Sequence, residues 1–258
     1  MKKKLQSITN KIAAPMTIAG ILVIWELISC FHVVPTYMLP SPVQVIHAFI
    51  SDFSLLMFHA KVTLVEAFLG LLCGVLIGFV LAVMMDQFEF IYKAVYPVLV
   101  ITQTVPTVAI APLLVLWLGY GIAPKVVLIV IVTFFPVAIG LLEGFRSADR
   151  DAVHLLQSMG ATRIQIFKHI KIKSSLSQFF ASLRIAVSYS VVGAVIAEWL
   201  GGFSGLGVYM TRVKKSYAFD KMFAVIFLIS AISLVLMYSV DVLRKCCTPW
   251  ENRRAIRK

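Results

Sequence analysis

Glu198-Trp199 is followed by Gly201, Gly202, Gly205 and Gly207, which puts a carboxylate at the head of a stretch rich in the residue that tolerates the widest range of backbone angles. A carboxylate beside a hydrocarbon layer is costly unless paired or wet, and in such a stretch it suits a gate. Gln103, with Thr102, Thr104 and Thr107 around Pro106, offers uncharged donors and acceptors that could line a solute path. The chain offers nothing for making or breaking bonds. No glycine-rich loop ends in Lys-Ser or Lys-Thr, so there is no phosphate cradle and any energy source must lie in another chain. His32, His47, His59, His154 and His169 lack the paired helical spacing of a zinc hydrolase, and Cys30, Cys73, Cys246 and Cys247 have no metal-ligand pattern. No metal, cofactor or disulfide framework is expected.

The elements that must position these residues are membrane spans. With 258 residues, 60% of them hydrophobic, and a mean hydropathy of +0.93, the chain carries more apolar side chain than a soluble core of that length can hide. About 20 helical residues cross a hydrocarbon layer, and six segments qualify: 16–31, 62–85, 94–118, 126–142, 179–200 and 222–243. Lipid cannot satisfy bare backbone, and no segment alternates as a barrel strand does, so the expected fold is all-α, a polytopic bundle of about six transmembrane helices. Lys2, Lys3, Lys4, Lys93, Arg146, Arg150, Arg163, Lys168, Lys171, Arg244, Lys245 and the basic C-terminus fall on one side. The other side holds Lys61, Lys125, Arg212, Lys214, Lys215 and Lys221. The richer side is cytoplasmic, so both termini are inside and the protein sits multi-pass in the cytoplasmic membrane. The net charge of +12 is explained by topology and anionic lipid; it forms no stripe interleaved with aromatics, so no nucleic acid is expected.

Gly70, Gly74 and Gly78 recur every four residues in the second span and present one small-residue face, for close helix packing or a substrate-facing groove. Pro97, Pro106 and Pro112 punctuate the third span, and with Gln103, Thr104 and Pro106 at membrane depth a broken helix lining a translocation pathway is expected, although prolines alone also make kinks. Glu26, Glu66, Arg184 and Asp241 read as interfacial or paired charges, whereas Glu198 has the best case for a role in the pathway. Pro35, Pro40, Ser41 and Pro42 precede a short apolar stretch, Val43 to Ile50, expected to be a surface helix on the outside.

The loop 143–178 is long and basic. Asp151 to Met159 forms one short helix and Thr162 to Ile172 a second, joined by a turn at Gly160-Ala161, to give a compact knob. This loop resembles the cytoplasmic coupling loop of binding-protein-dependent ABC-transporter permeases, with Gly160-Ala161 followed nine residues later by Ile170. The resemblance covers nearly the whole chain: Leu39-Pro40-Ser41-Pro42, Gln103-Thr104-Val105-Pro106, Ala111-Pro112-Leu113-Leu114, Leu118-Gly119-Tyr120-Gly121, Gly193 to Glu198 and Gly205-Leu206-Gly207 look like the sulfonate, taurine, nitrate and riboflavin branch. Within it, Gly144-Phe145-Arg146-Ser147, Ser158-Met159-Gly160-Ala161, Ala197-Glu198-Trp199-Leu200 and Pro249-Trp250 look most like permeases for the hydroxymethylpyrimidine precursor of thiamine.

The resemblance implies that residues 1–258 are one permease domain and that 143–178 is the ATPase-coupling loop. His154, Leu155, Leu156, Ser158, Met159, Gly160, Ala161 and Ile170 would then meet a cytosolic ABC ATPase subunit, a solute-binding protein would deliver substrate outside, and a second permease copy would complete the path. Arg212, Lys214 and Lys215 would form part of the outer docking surface. The chain itself would not be an enzyme. It departs from the family at His154-Leu155-Leu156, where Glu-Ala-Ala is usual, at Lys173 in place of a proline, and at Glu66 in place of an arginine. Alternatives are uptake of a sulfonate, taurine, nitrate or riboflavin by the same kind of importer and, in another class, an ion-driven secondary carrier, which would prefer paired mid-membrane acids and inverted repeats.

Overall fold

The computed structural model describes residues 2–31, 34, 35 and 38–249, without the side chains of 2–12 and 14. His32, Trp250 and the basic residues of the C-terminal tail lie outside the described residues. Among the described residues all regular structure is helical: α1 (Lys2–Cys30), α2 (Pro42–Ser51), α3 (Phe53–Gln87), α4 (Glu89–Thr102), α5 (Thr107–Leu118), α6 (Ala123–Arg146), α7 (Arg150–Ser158), α8 (Arg163–Ile166), a π-helical turn (Phe167–Lys171), α9 (Ile172–Gly201), α10 (Leu206–Lys215) and α11 (Phe219–Cys247). Four stretches are long and apolar enough to cross a membrane: Phe53–Gln87, Ala123–Arg146, Arg163–Gly201 and Phe219–Cys247. The α4 and α5 pair makes a fifth if taken as one span. The first expected span falls on Pro15–Cys30, a shorter apolar helix, so the count of six is not reproduced among the described residues.

Two expectations change in detail. The third span is not continuous: α4 and α5 are bent by 99° across Gln103–Pro106. Pro106 has no N–H to carry the helix through and pushes Val105 away from helical angles, while Pro97, Pro112 and Pro136 are accommodated inside helices. The fifth span is also longer than expected. The second loop helix does not end before it but runs through the π turn into α9, a continuous 39-residue stretch from Arg163 to Gly201. A capping box starts it, with Thr162 accepting from the Gln165 N–H and Gln165 accepting from the Thr162 N–H at 2.7 Å. Nothing stops it, because Lys173 stands where a proline would remove a donor.

The chain divides into two compact units, Met1–Phe58 with Tyr209–Leu228, and His59–Val208 with Ile229–Lys258. In the first, Ser41 and Gln44 form a capping box that starts α2, with Pro42 at its first position. Val45 and Ala48 of α2 pack with Ala224, and Trp25 lies against Phe223 and Phe227 at 5.6 and 5.8 Å while donating to the Pro40 carbonyl at 3.0 Å. Asp52 binds this unit together, accepting from Tyr209 Oη at 2.7 Å and pairing with Lys221 at 2.8 Å.

In the second unit, α6 is the central helix. Gly70, Gly74 and Gly78 of α3 lie against it so closely that a Cβ on each would run into Ile129, Thr133 and Phe134 with Val137, respectively. On the α9 side, Gly140 and Gly144 of α6 lie against Ser182 and Ser175 in the same way. Small residues let backbones approach where lipid supplies no hydrophobic drive for helix association. Ala82, Met85, Val137, Leu142, Phe145 and Ala186 fill the core between them.

Candidate functional site

Three features of the second unit bear on function. The first is an open cavity of about 220 Å³ at the break between α4 and α5. Gln103 comes from the break and Thr107 from the first position of α5, Leu128 and Val132 from α6, and Tyr189 and Val192 from α9, and no lining residue is charged. The break itself creates the site: one continuous helix would have kept its backbone groups and Gln103 within a helical surface, whereas the bend presents the residues around Gln103 to the cavity. Thr104 and Pro106 belong to the break but do not line the cavity.

The second feature is a buried polar cluster that Glu198 organises. Glu198 is 1% exposed. Its Oε1 accepts from Thr63 Oγ1 at 2.7 Å and its Oε2 from the Gly207 N–H at 2.6 Å. Thr63 Oγ1 in turn accepts from the Leu206 N–H at 2.9 Å, and His59 Nδ1 accepts from the Gly205 N–H at 2.9 Å, which places the neutral ring's proton on Nε2. The 205–207 backbone is thus held by two helices. Gly205 adopts φ +123°, and a Cβ there would occupy the carboxylate of Glu198. Glu198 does not line the cavity at Gln103.

One helical turn along α3 from Thr63, Glu66 pairs with Lys125 at 2.5 Å, both side chains being buried. This pair answers the departure at Glu66, since the cation that balances it is supplied by the start of α6. Removing one partner of such a buried pair leaves an uncompensated charge and costs about 3–5 kcal/mol. His59, Thr63 and Glu66 stand at i, i+4 and i+7 on one face of α3, a spacing that could have marked them as a set. Arg184 and Asp241 also pair, at 3.5 Å, with both side chains partly exposed. No three His, Cys, Asp or Glu side chains among the described residues converge to hold a metal, and the four cysteines are exposed and form no disulfide.

The third feature is the knob of α7 and α8. Asp149 caps α7 by accepting from the Asp151 N–H at 2.9 Å, and no residue of α7 is buried. Gly160 turns the chain at φ +79°, and the Ala161 N–H returns to the Leu156 carbonyl at 2.9 Å. Leu155, Met159 and Ile164 are 63%, 73% and 78% exposed, with His154 and Ser158 also exposed and Leu156, Ala161 and Ile170 half-buried. The base of the knob is fixed. Lys171 grips both oxygens of buried Asp86 at 2.7 and 2.8 Å, Phe167 packs on Phe145 at 5.1 Å, and Ile166 is buried. Three exposed apolar side chains thus stand on a turn whose base is anchored.

The membrane-length apolar helices are those of an integral membrane protein, and the chain belongs to the family of binding-protein-dependent transport system inner membrane components, whose family model matches residues 74–247. It is therefore a multi-pass membrane permease, which replaces the ion-driven carrier among the sequence-based expectations. It is similar to the formylaminopyrimidine transport permease protein ThiX of Halalkalibacterium halodurans, at 37% identity over 91% of this chain and 94% of the relative. A probable ABC transporter permease protein of Haemophilus influenzae is 36% identical over 90% of this chain and 95% of its own length. In fold it resembles a chain of the MetNI methionine ABC transporter in an inward-facing conformation, with a TM-score of 0.68 at 18% identity, covering 77% of this chain and 98% of that one.

Proposed function

We propose that this permease carries a thiamine pyrimidine precursor, a formylaminopyrimidine or hydroxymethylpyrimidine, inward across the cytoplasmic membrane as part of an ATP-binding-cassette importer. The observation that carries this reading is the 37% identity, spread over nine-tenths of both chains, to a formylaminopyrimidine permease. Two copies form the path, two cytosolic ATPase subunits seat the exposed α7–α8 knobs, and an extracytoplasmic binding protein delivers the solute. Both termini face the cytoplasm, and ATP is hydrolysed by the separate subunit. The role of 143–178 is coupling: closure of the ATPases pushes on Leu155, Met159, Gly160 and Ile164, and the spans respond by alternating access. Gln103 and its neighbours at the helix break line the path.

The test is ATP-driven uptake into proteoliposomes holding the permease, its ATPase and its binding protein. Labelled formylaminopyrimidine or hydroxymethylpyrimidine should accumulate, and an ATPase-dead partner should abolish accumulation. Accumulation of taurine or an alkanesulfonate in place of the pyrimidines would overturn the substrate assignment and leave the permease assignment standing.

A further inference from the structure

The hydrogen-bonding capacity around the helix break is unevenly spent. Thr102 Oγ1 donates to the Leu99 carbonyl at 2.6 Å and Thr104 Oγ1 to the Ile101 carbonyl at 2.8 Å, so both hydroxyl protons serve their own helix end. The side chains of Gln103, Thr107 and Tyr189 make no hydrogen bond to any other described residue, and all three line the same cavity. Around them the walls are aliphatic, and Gly193 leaves part of the α9 face without a side chain. Lys125, the nearby buried cation, is committed to Glu66. A wall of this kind offers an anion no cation to balance its charge, only the neutral donors of Gln103, Thr107 and Tyr189, so a sulfonate would give up its water at greater cost than an uncharged solute. It suits a small, flat, uncharged ring with donor and acceptor edges: an amide can read both edges at once, a phenol can stack or hydrogen-bond, and aliphatic walls take the ring faces. At about 220 Å³ the space is below the range of drug-sized pockets, which matches a one-ring solute.

We propose that Gln103, Thr107 and Tyr189 form a solute-binding station within the permease, selective for an uncharged hydrogen-bonding heterocycle over an anion. This rests on the importer reading above and deepens it: selectivity does not belong to the binding protein alone. Gln103 and Tyr189 are the specificity-determining residues.

The experiment uses the assembled transporter with Cys30, Cys73, Cys246 and Cys247 replaced by alanine and a reporter, Val192→Cys, in the cavity wall; Ile196→Cys serves as a second reporter should the first fail to assemble. Labelling by an uncharged maleimide should slow at least tenfold in saturating formylaminopyrimidine and be unchanged in taurine. Adding Gln103→Leu or Tyr189→Phe should restore labelling and lower pyrimidine uptake about tenfold, while ATP hydrolysis stimulated by the loaded binding protein persists. Pyrimidine uptake without any protection of either reporter would overturn the station and leave the proposed function intact. Protection by taurine, with taurine imported in place of the pyrimidine, would overturn both.

Discussion

Replacing Glu198 with leucine removes the acceptor of two buried donors, the Thr63 hydroxyl at 2.7 Å and the Gly207 N–H at 2.6 Å. The Gly207 N–H has lost this acceptor in a water-poor site, and the Thr63 hydroxyl can fall back only on the His59 carbonyl at 3.2 Å. A buried donor deprived of its acceptor costs about 1–3 kcal/mol, so removing both hydrogen bonds to Glu198 should cost about 3 kcal/mol. Glu198→Gln is a different perturbation. Its amide oxygen can still accept from Gly207, and its NH₂ can donate to Thr63 Oγ1, which then turns its own proton to the His59 carbonyl; the cost should stay within about 1 kcal/mol. Thermal unfolding in detergent, followed by loss of the monodisperse species, separates the two: about 6–12 °C for leucine and less than half of that for glutamine. Equal losses for the two variants would refute the hydrogen-bond reasoning, and an unaffected leucine variant would show that the 205–207 backbone does not depend on this anchor.

Gly74→Leu must displace Thr133 and the backbone at Phe134, and should cost about 1–3 kcal/mol in the same melting assay; unchanged stability would count against close α3–α6 packing. Gly160→Val meets no neighbouring atom but forces a β-branched residue to φ +79°, at about 1–2 kcal/mol of backbone strain, so membrane insertion should persist while ATP-driven uptake is lost. Uptake at the wild-type rate would remove the docking role of the turn. Burial by itself would raise the Asp52 carboxyl, but hydrogen bonds from Lys221 and Tyr209 outweigh it and hold the group below the usual carboxylate range. Its contribution is therefore fully present above about pH 4 and is lost as pH falls through the lower folded value, so Asp52→Asn should flatten the acid side of the stability profile measured between about pH 2 and 5. The Tyr209 phenol is raised above its ordinary value by burial and by Asp52, and stays the donor throughout that range.

Hydrocarbon-length apolar runs made most of the helices legible, because in lipid no other backbone satisfies itself. The turn at Gly160 and the break near Pro106 were legible for the same local reason, a residue that either frees or forbids a backbone angle. What local sequence does not carry is direction and partner. Pro106 predicts a break but not its 99° bend, which depends on how α5 packs beside α6 and α9. The partner of Glu66 is not legible in the sequence, because Lys125 lies 59 positions away and reads as a loop cation. The glycines after Glu198 read as freedom of movement, whereas in the structure they bring backbone N–H groups close enough for a carboxylate and a histidine to hold. The π turn at Phe167–Lys171 has no composition signal, and the absence of proline at Lys173 was the clue that the helix continues.

That continuity gives the chain a lever. At 1.5 Å per residue, the unbroken 39-residue helix from Arg163 to Gly201 is about 58 Å long, with the exposed knob at one end and the Glu198 anchor near the other. A tilt of about 5° about Lys171 sweeps the Gly201 end, about 45 Å away, through about 4 Å. The Lys171–Asp86 clamp lies about one-fifth of the way along, so on the coupling proposed above it would serve as a fulcrum between a short arm at the knob and a long arm ending near the 205–207 backbone. On the coupling proposed above, a small push at the knob would be enlarged by the time it reaches the backbone that Glu198 holds.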